Sequence, residues 1–184
     1  MGMTARLRAG AANTAAVLAL VALALPLTGC AGAARESGPA AVAAPFSAGG
    51  VAVSVRVEPR DDGLRVLAEL RPERAGFHVY SLALPDGGVD GIGIPTRIRA
   101  EGALRPTGPA TTDAQQRVLR PEGLGVRLPV YEDGRVTLEL PVRRVEETGR
   151  DRARVFLTYG ACSEREGCLL PVRDRAVTLE LRPA

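Results

Sequence analysis

Three cysteines, Cys30, Cys162 and Cys168, are the side chains best suited to covalent chemistry in this 184-residue chain. Cys30 ends the run Leu27-Thr28-Gly29-Cys30, directly after an apolar stretch. A thiol in that setting can carry a thioether-linked lipid. Cys162 and Cys168 lie together in Tyr159-Gly160-Ala161-Cys162-Ser163-Glu164-Arg165-Glu166-Gly167-Cys168-Leu169-Leu170-Pro171, where the polar gap bounded by Gly160 and Gly167 reads as an exposed loop at a strand end. Bridged, they close a small ring, which in the chain-entropy picture stabilises a fold by only about 2 kcal/mol. Exposed, a dithiol can instead exchange with another disulfide: one thiolate forms a mixed disulfide and the other resolves it. On the residues alone, structural staple and exchange site both stay open. Arg165 favours a thiolate and Glu164 and Glu166 oppose it, so the local charges do not decide. The spacing is not the Cys-x-x-Cys of thioredoxin-type sites. It is also too short for the sheet-to-sheet bridge of antibody domains. Two cysteines and one histidine, His78, are too few ligands for a zinc site, and the chemistry calls for neither metal nor organic cofactor.

The segments that would position these thiols differ sharply in character. The first ten residues carry Arg6 and Arg8 and no acid, and residues 11–27 are mostly Ala, Val and Leu. That is the pattern of a secretory signal, with an apolar core short for a membrane span. Leu27-Thr28-Gly29-Cys30 resembles the bacterial lipobox, which implies cleavage before Cys30, acylation of its sulfur and attachment to a lipid bilayer. Residues 1–29 are therefore expected to be a lipoprotein signal peptide. Residues 30–45 would be the lipidated cysteine and a flexible spacer, within an Ala-, Gly-, Ser- and Pro-rich stretch that runs to about residue 50. Residues 46–184 would form the domain, on the extracytoplasmic side, where a disulfide persists.

Alternation of apolar and polar residues starts at Val51 and predicts strands over 51–58, 64–70, 77–84, 96–100, 126–130, 135–142, 152–159 and 176–181. Residues 85–95 hold glycines and prolines and read as a loop. Residues 101–125 read as a long excursion, with one helical turn at Asp113–Leu119. Eight short strands with turn signals between them and no amphipathic helix indicate an all-β antiparallel sandwich of the immunoglobulin-like kind.

The 24 basic residues, all arginine, stand against 21 acidic ones. Removal of the leader takes away Arg6 and Arg8 and leaves the chain near neutral. No basic tract with interleaved aromatics supports nucleic-acid binding. His78 alternates with Phe77 and Val79 and reads as a packed or surface residue. Tyr80 and Tyr159 read as core or pocket walls near strand ends. Asp86 and Asp90 lack the spacing of an EF-hand and read as turn residues. Arg143-Arg144 and Glu146-Glu147 read as a solvated connection. No Ser/His/Asp set has a supporting motif.

Tyr159-Gly-Ala-Cys162-x₅-Cys168-Leu-Leu-Pro171 resembles the redox motif of the amino-terminal periplasmic domain of the DsbD thiol–disulfide interchange family. Gly76-Phe-His-Val-Tyr80, Gly93-Ile-Pro-Thr96 and Val130-Tyr131, followed by Val136–Val142, are similar to further blocks of the related disulfide-corrector sequences, in the same order. The resemblance spans roughly residues 45–184. It implies a disulfide between Cys162 and Cys168 and dithiol exchange without a cofactor. Cys168 would engage the partner and Cys162 would resolve. The implied partners are a membrane thiol carrier and exported disulfide or thioredoxin-like proteins. In that family an aromatic cap loop shields the cysteines. Here the matching stretch, Glu122-Gly123-Leu124-Gly125, has no aromatic, so Leu124 is the candidate cap and Tyr159 a candidate pocket wall. The family's membrane and thioredoxin-like domains have no counterpart before Ala184, which implies a separate electron donor. Apart from the resemblance, the competing reading is a non-catalytic lipoprotein binding module with a structural disulfide.

Overall fold

In the computed structural model, residues 40–132, 134–145 and 151–182 are described. Cys30 and the expected leader lie outside the described residues. The first long strands follow directly from their alternation. β3 (Val51–Arg60) places Val51, Val53, Val55 and Val57 at 0–2% exposure on one face, and Ala52, Ser54, Arg56 and Glu58 on the other. It turns through Asp61-Asp62 into β4 (Gly63–Pro72), paired in register from Arg60↔Gly63 to Val51↔Pro72. The period of two is what fixes this register, because a one-residue slip would drive every valine into water.

Two short strands precede that hairpin, β1 (Ala41–Val42) and β2 (Phe46–Ala48), and both pair with β3. Among the described residues, strand thus already occurs inside the stretch expected to be spacer. Ala41 and Ala43 are buried at the sheet edge. Their small side chains give no alternation to read, yet they fit against the valines of β3. After β4 come β5 (Phe77–Val79), β6 (Arg97–Gly102), β7 (Leu104–Pro106), β8 (Gln116–Leu119), β9 (Leu128–Tyr131), β10 (Val136–Arg144), β11 (Arg152–Tyr159), β12 (Ala161–Ser163), β13 (Gly167–Cys168) and β14 (Val172–Glu180).

The larger sheet runs β1-β3-β4-β10-β7, with β2 also on β3, and a three-stranded sheet runs β14-β11-β6. All pairings are antiparallel. Their apolar faces meet in the main core, where Val55, Leu70, Leu138 and Val142 of one sheet join Ile98, Val155, Leu157 and Leu179 of the other. No helix occurs among the described residues. The fold is therefore an all-β, immunoglobulin-like sandwich. Aligned sheets with interdigitating inner faces are the expected outcome of alternation on both sides of a core.

Two expectations need correction. Asp113–Leu119 does not form a helical turn: Gln116–Leu119 is strand β8, paired with β9 from Gln116↔Tyr131 to Leu119↔Leu128. Leu119, fully buried, is drawn into a second apolar cluster, and tertiary packing overrides the weak local signal. The strand expected over 77–84 ends at Val79. Beyond it Leu84 N donates to Ser81 O at 3.2 Å, closing a turn.

Candidate functional site

The cysteine segment grows out of β11. Tyr159 ends that strand, Gly160 follows, and Ala161–Ser163 continue as β12. Gly160 makes this passage feasible. A Cβ there would lie 3.1 Å from both the Tyr80 ring and Ile94 Cγ2, tighter than ordinary packing. β12 then pairs on one side with β5 and on the other with β13, giving a small sheet ordered β13-β12-β5. Cys162 and Cys168, expected in an open loop, instead sit on the two arms of a tight hairpin. They are register partners, as are Ser163 and Gly167. The Cα atoms are 4.0 Å apart and the sulfurs form a disulfide.

The two halves of the bridge are in unlike surroundings. Cys162 is fully buried and packs with Tyr80, Ile94, Leu128 and Val130 in the second apolar cluster. Cys168 is exposed, and after it come Leu170, 86% exposed, and exposed Pro171. Leu169, between them, is partly buried against the main core and anchors the strand. Its amide donates to Ala161 O at 2.9 Å. The Cys168 half of the bridge is therefore the one that faces solvent.

The register also sets Cys162 opposite His78. Directly opposed residues of antiparallel strands project to the same face, so Cys168, Cys162 and His78 form one rank across the small sheet. The imidazole is held at both nitrogens. Nδ1 donates to the Tyr131 carbonyl at 3.1 Å, and Nε2 accepts from Arg117 Nη2 at 2.6 Å. These partners require the neutral Nδ1–H tautomer, since a guanidinium only donates. Arg117 Nη1 also lies 3.6 Å from Glu164 Oε1, in the turn between the cysteines. The other acid of that turn, Glu166, pairs with Arg74 at 3.0 Å. Both carboxylates flanking Arg165 thus have a cation beside them, which moderates their opposition to a thiolate. The turn is tied further: Glu122 N donates to Glu164 O at 2.8 Å, and Ser163 Oγ accepts from the amides of Arg165 and Glu166 at 3.4 Å each.

The segment around residues 121–125 thus meets the cysteine turn, with Leu124 itself exposed. A pocket of about 210 Å³ opens beside Cys168. Tyr80, Gly93, Ile94, Pro171 and Arg173 contribute to its wall, and Leu124 and Tyr159 do not. Tyr159 is fully buried in the main core, with its hydroxyl donating to Ala48 O at 3.2 Å. Burial pushes the phenols of Tyr80 and Tyr159 up to about 12. Asp86 pairs with Arg97 at 2.7 Å. The cysteines and Tyr80 were legible in the sequence. Arg117 and Arg173 were not, because nothing local distinguishes them from the other arginines of the chain.

No protein-family model matches this chain, and no curated protein sequence does. Among solved structures, the chain is similar to the amino-terminal domain of DsbD from Neisseria meningitidis, crystallised in the reduced form. The two are 18% identical and superpose with a TM-score of 0.40, over 78% of this chain and 86% of that one.

Proposed function

We propose that the domain performs thiol–disulfide interchange on the extracytoplasmic side of a membrane. It relays reducing equivalents between a membrane thiol carrier and exported disulfide proteins. The observation that carries this reading is the unequal burial of one bridge: Cys162 in an apolar cluster, Cys168 at the surface beside Leu170 and Pro171. A bridge serving only as a staple has no need of an accessible sulfur, whereas exchange requires one. In the reducing direction, a partner thiolate attacks Cys168 Sγ and the bond to Cys162 breaks. The electron pair leaves on Cys162, and a mixed disulfide joins Cys168 to the partner. A second partner thiol then attacks its own sulfur in that disulfide and releases Cys168 as a thiolate. Run backwards, the same steps reduce an exported disulfide, with Cys162 as the resolving group. The tether in this reading is acylated Cys30, with residues 1–29 removed and residues 30–45 providing reach. Two or more acyl chains, at about 0.8 kcal/mol per buried CH₂, hold such a domain at the bilayer.

The test is asymmetric trapping in the native host. Cys162→Ser leaves the accessible thiol without its resolving partner, and a mixed disulfide through Cys168 should accumulate on non-reducing gels. Cys168→Ser should trap little. Equal trapping by the two variants would favour a staple with two ordinary thiols. So would the absence of any specific adduct from variants that remain folded.

A further inference from the structure

The pocket beside Cys168 has features that a protein-docking surface does not need. Its volume of about 210 Å³ corresponds to roughly seven waters at about 30 Å³ each. That suits a molecule the size of a free amino acid. Gly93 contributes bare backbone to the wall: at φ +87° it takes a conformation that side chains rarely adopt, and a Cβ there would press within 3.0 Å of buried Leu84 Cδ2. The wall is made of an aromatic ring, aliphatic groups and glycine backbone, with the accessible cysteine on one side. Arg173 is the one charged side chain in that wall, and no carboxylate lines it. Among the described residues, no carboxylate is paired with Arg173 either. An arginine unpaired among the described residues and a disulfide sulfur's residue, lining one space of this size, match a small thiol bearing a carboxylate.

We propose that this pocket admits a low-molecular-weight thiol carboxylate of the cysteine type and delivers its sulfur to Cys168. The inference rests on the bridge being exchange-active. Arg173 takes the carboxylate and the thiolate attacks Cys168 Sγ. The Cys162–Cys168 bond breaks with its electron pair on Cys162, and a mixed disulfide forms between Cys168 and the small thiol. A second molecule of the thiol attacks the small-molecule sulfur of that adduct. Cys168 leaves as a thiolate and the symmetric small disulfide departs. The bridge is reduced by two electrons and two thiols are oxidised. The small thiol is thus a second, protein-independent route to the reduced domain.

The experiment follows opening of the bridge by thiol labelling and intact mass, with L-cysteine and cysteamine as probes. They are similar thiols, and only the first bears a carboxylate. Arg173 is exposed, so Arg173→Gln and Arg173→Glu should fold. Arg173→Gln should slow cysteine about three- to five-fold, the scale of a solvent-exposed ion pair, and leave cysteamine unchanged. Arg173→Glu should reverse the preference toward cationic cysteamine. The wild-type preference for cysteine should shrink at high salt. Ratios of cysteine to cysteamine that are the same in all three proteins would overturn the proposal. If a thioredoxin-type dithiol opens the bridge and neither small thiol does, the pocket assignment fails while the interchange reading stands. A bridge that no thiol opens would overturn both.

Discussion

Tyr80 and Tyr159 carry the same titration shift in different places. Burial holds each phenol at about 12, against about 10 in an unfolded chain. Folding therefore favours the neutral form. The stability this contributes is fully present below about pH 10 and is lost as pH rises through about 12. The denaturation midpoint should accordingly stay flat up to about pH 10 and fall above it. Tyr159→Phe should make that fall shallower. The same variant should cost about 1 kcal/mol at neutral pH, because the Ala48 carbonyl loses its donor. Chemical denaturation across pH, with phenolate absorbance followed in parallel, checks both. At this scale the sequence was informative where chemistry is tied to residue type. The two site cysteines were visible because few other side chains do what a thiol does. The link from His78 through Arg117 to Glu164 was not, because His78 and Arg117 are 39 positions apart and meet only once β5, β8 and β9 are assembled.

The hairpin β12–β13 is a device for holding two sulfurs together, and much of its order comes from outside the bridge. Arg117, Arg74 and the Glu122 amide fasten the turn independently. Replacing both Cys162 and Cys168 by serine should therefore leave a folded domain with one cooperative unfolding transition. The cost should be about 3–5 kcal/mol, from the lost cross-link and the hydroxyl buried at 162. Equilibrium denaturation monitored by circular dichroism measures this, and loss of cooperativity would point to a staple. The element scale also shows where alternation stops being legible. Strands of eight to ten residues, such as β3 and β11, were found with ends within a few positions. Two- and three-residue strands such as β1, β7, β12 and β13 are too short for alternation to recur, so the cysteines were read as lying in a loop. Strand β14 was read from Ala176 onward because Val172–Ala176 is exposed or nearly so and does not alternate in burial.

For the molecule as a whole, the sandwich supplies rigidity and, in the proposed function, an acylated Cys30 supplies place. Cys30→Ser should yield unprocessed or mislocalised protein, and intact-mass analysis of wild-type membrane fractions should show an acylated Cys30. A mature wild-type protein that is wholly soluble, without lipid, would remove the tether from the proposed function. The fold class was legible because two sheets of alternating strands admit few other arrangements. The exposure difference between the two cysteines was not legible, since it depends on a cluster assembled from segments spanning Tyr80 to Cys162.

That cluster is separate from the main core, and the separation bears on how such a domain can evolve. Substitutions at Ile94, Leu119, Val126 or Leu128 alter the surroundings of the buried sulfur without touching the valines and leucines between the two large sheets. Reactivity can then drift or be selected by small steps, while the scaffold that keeps the chain folded stays under its own, independent constraint.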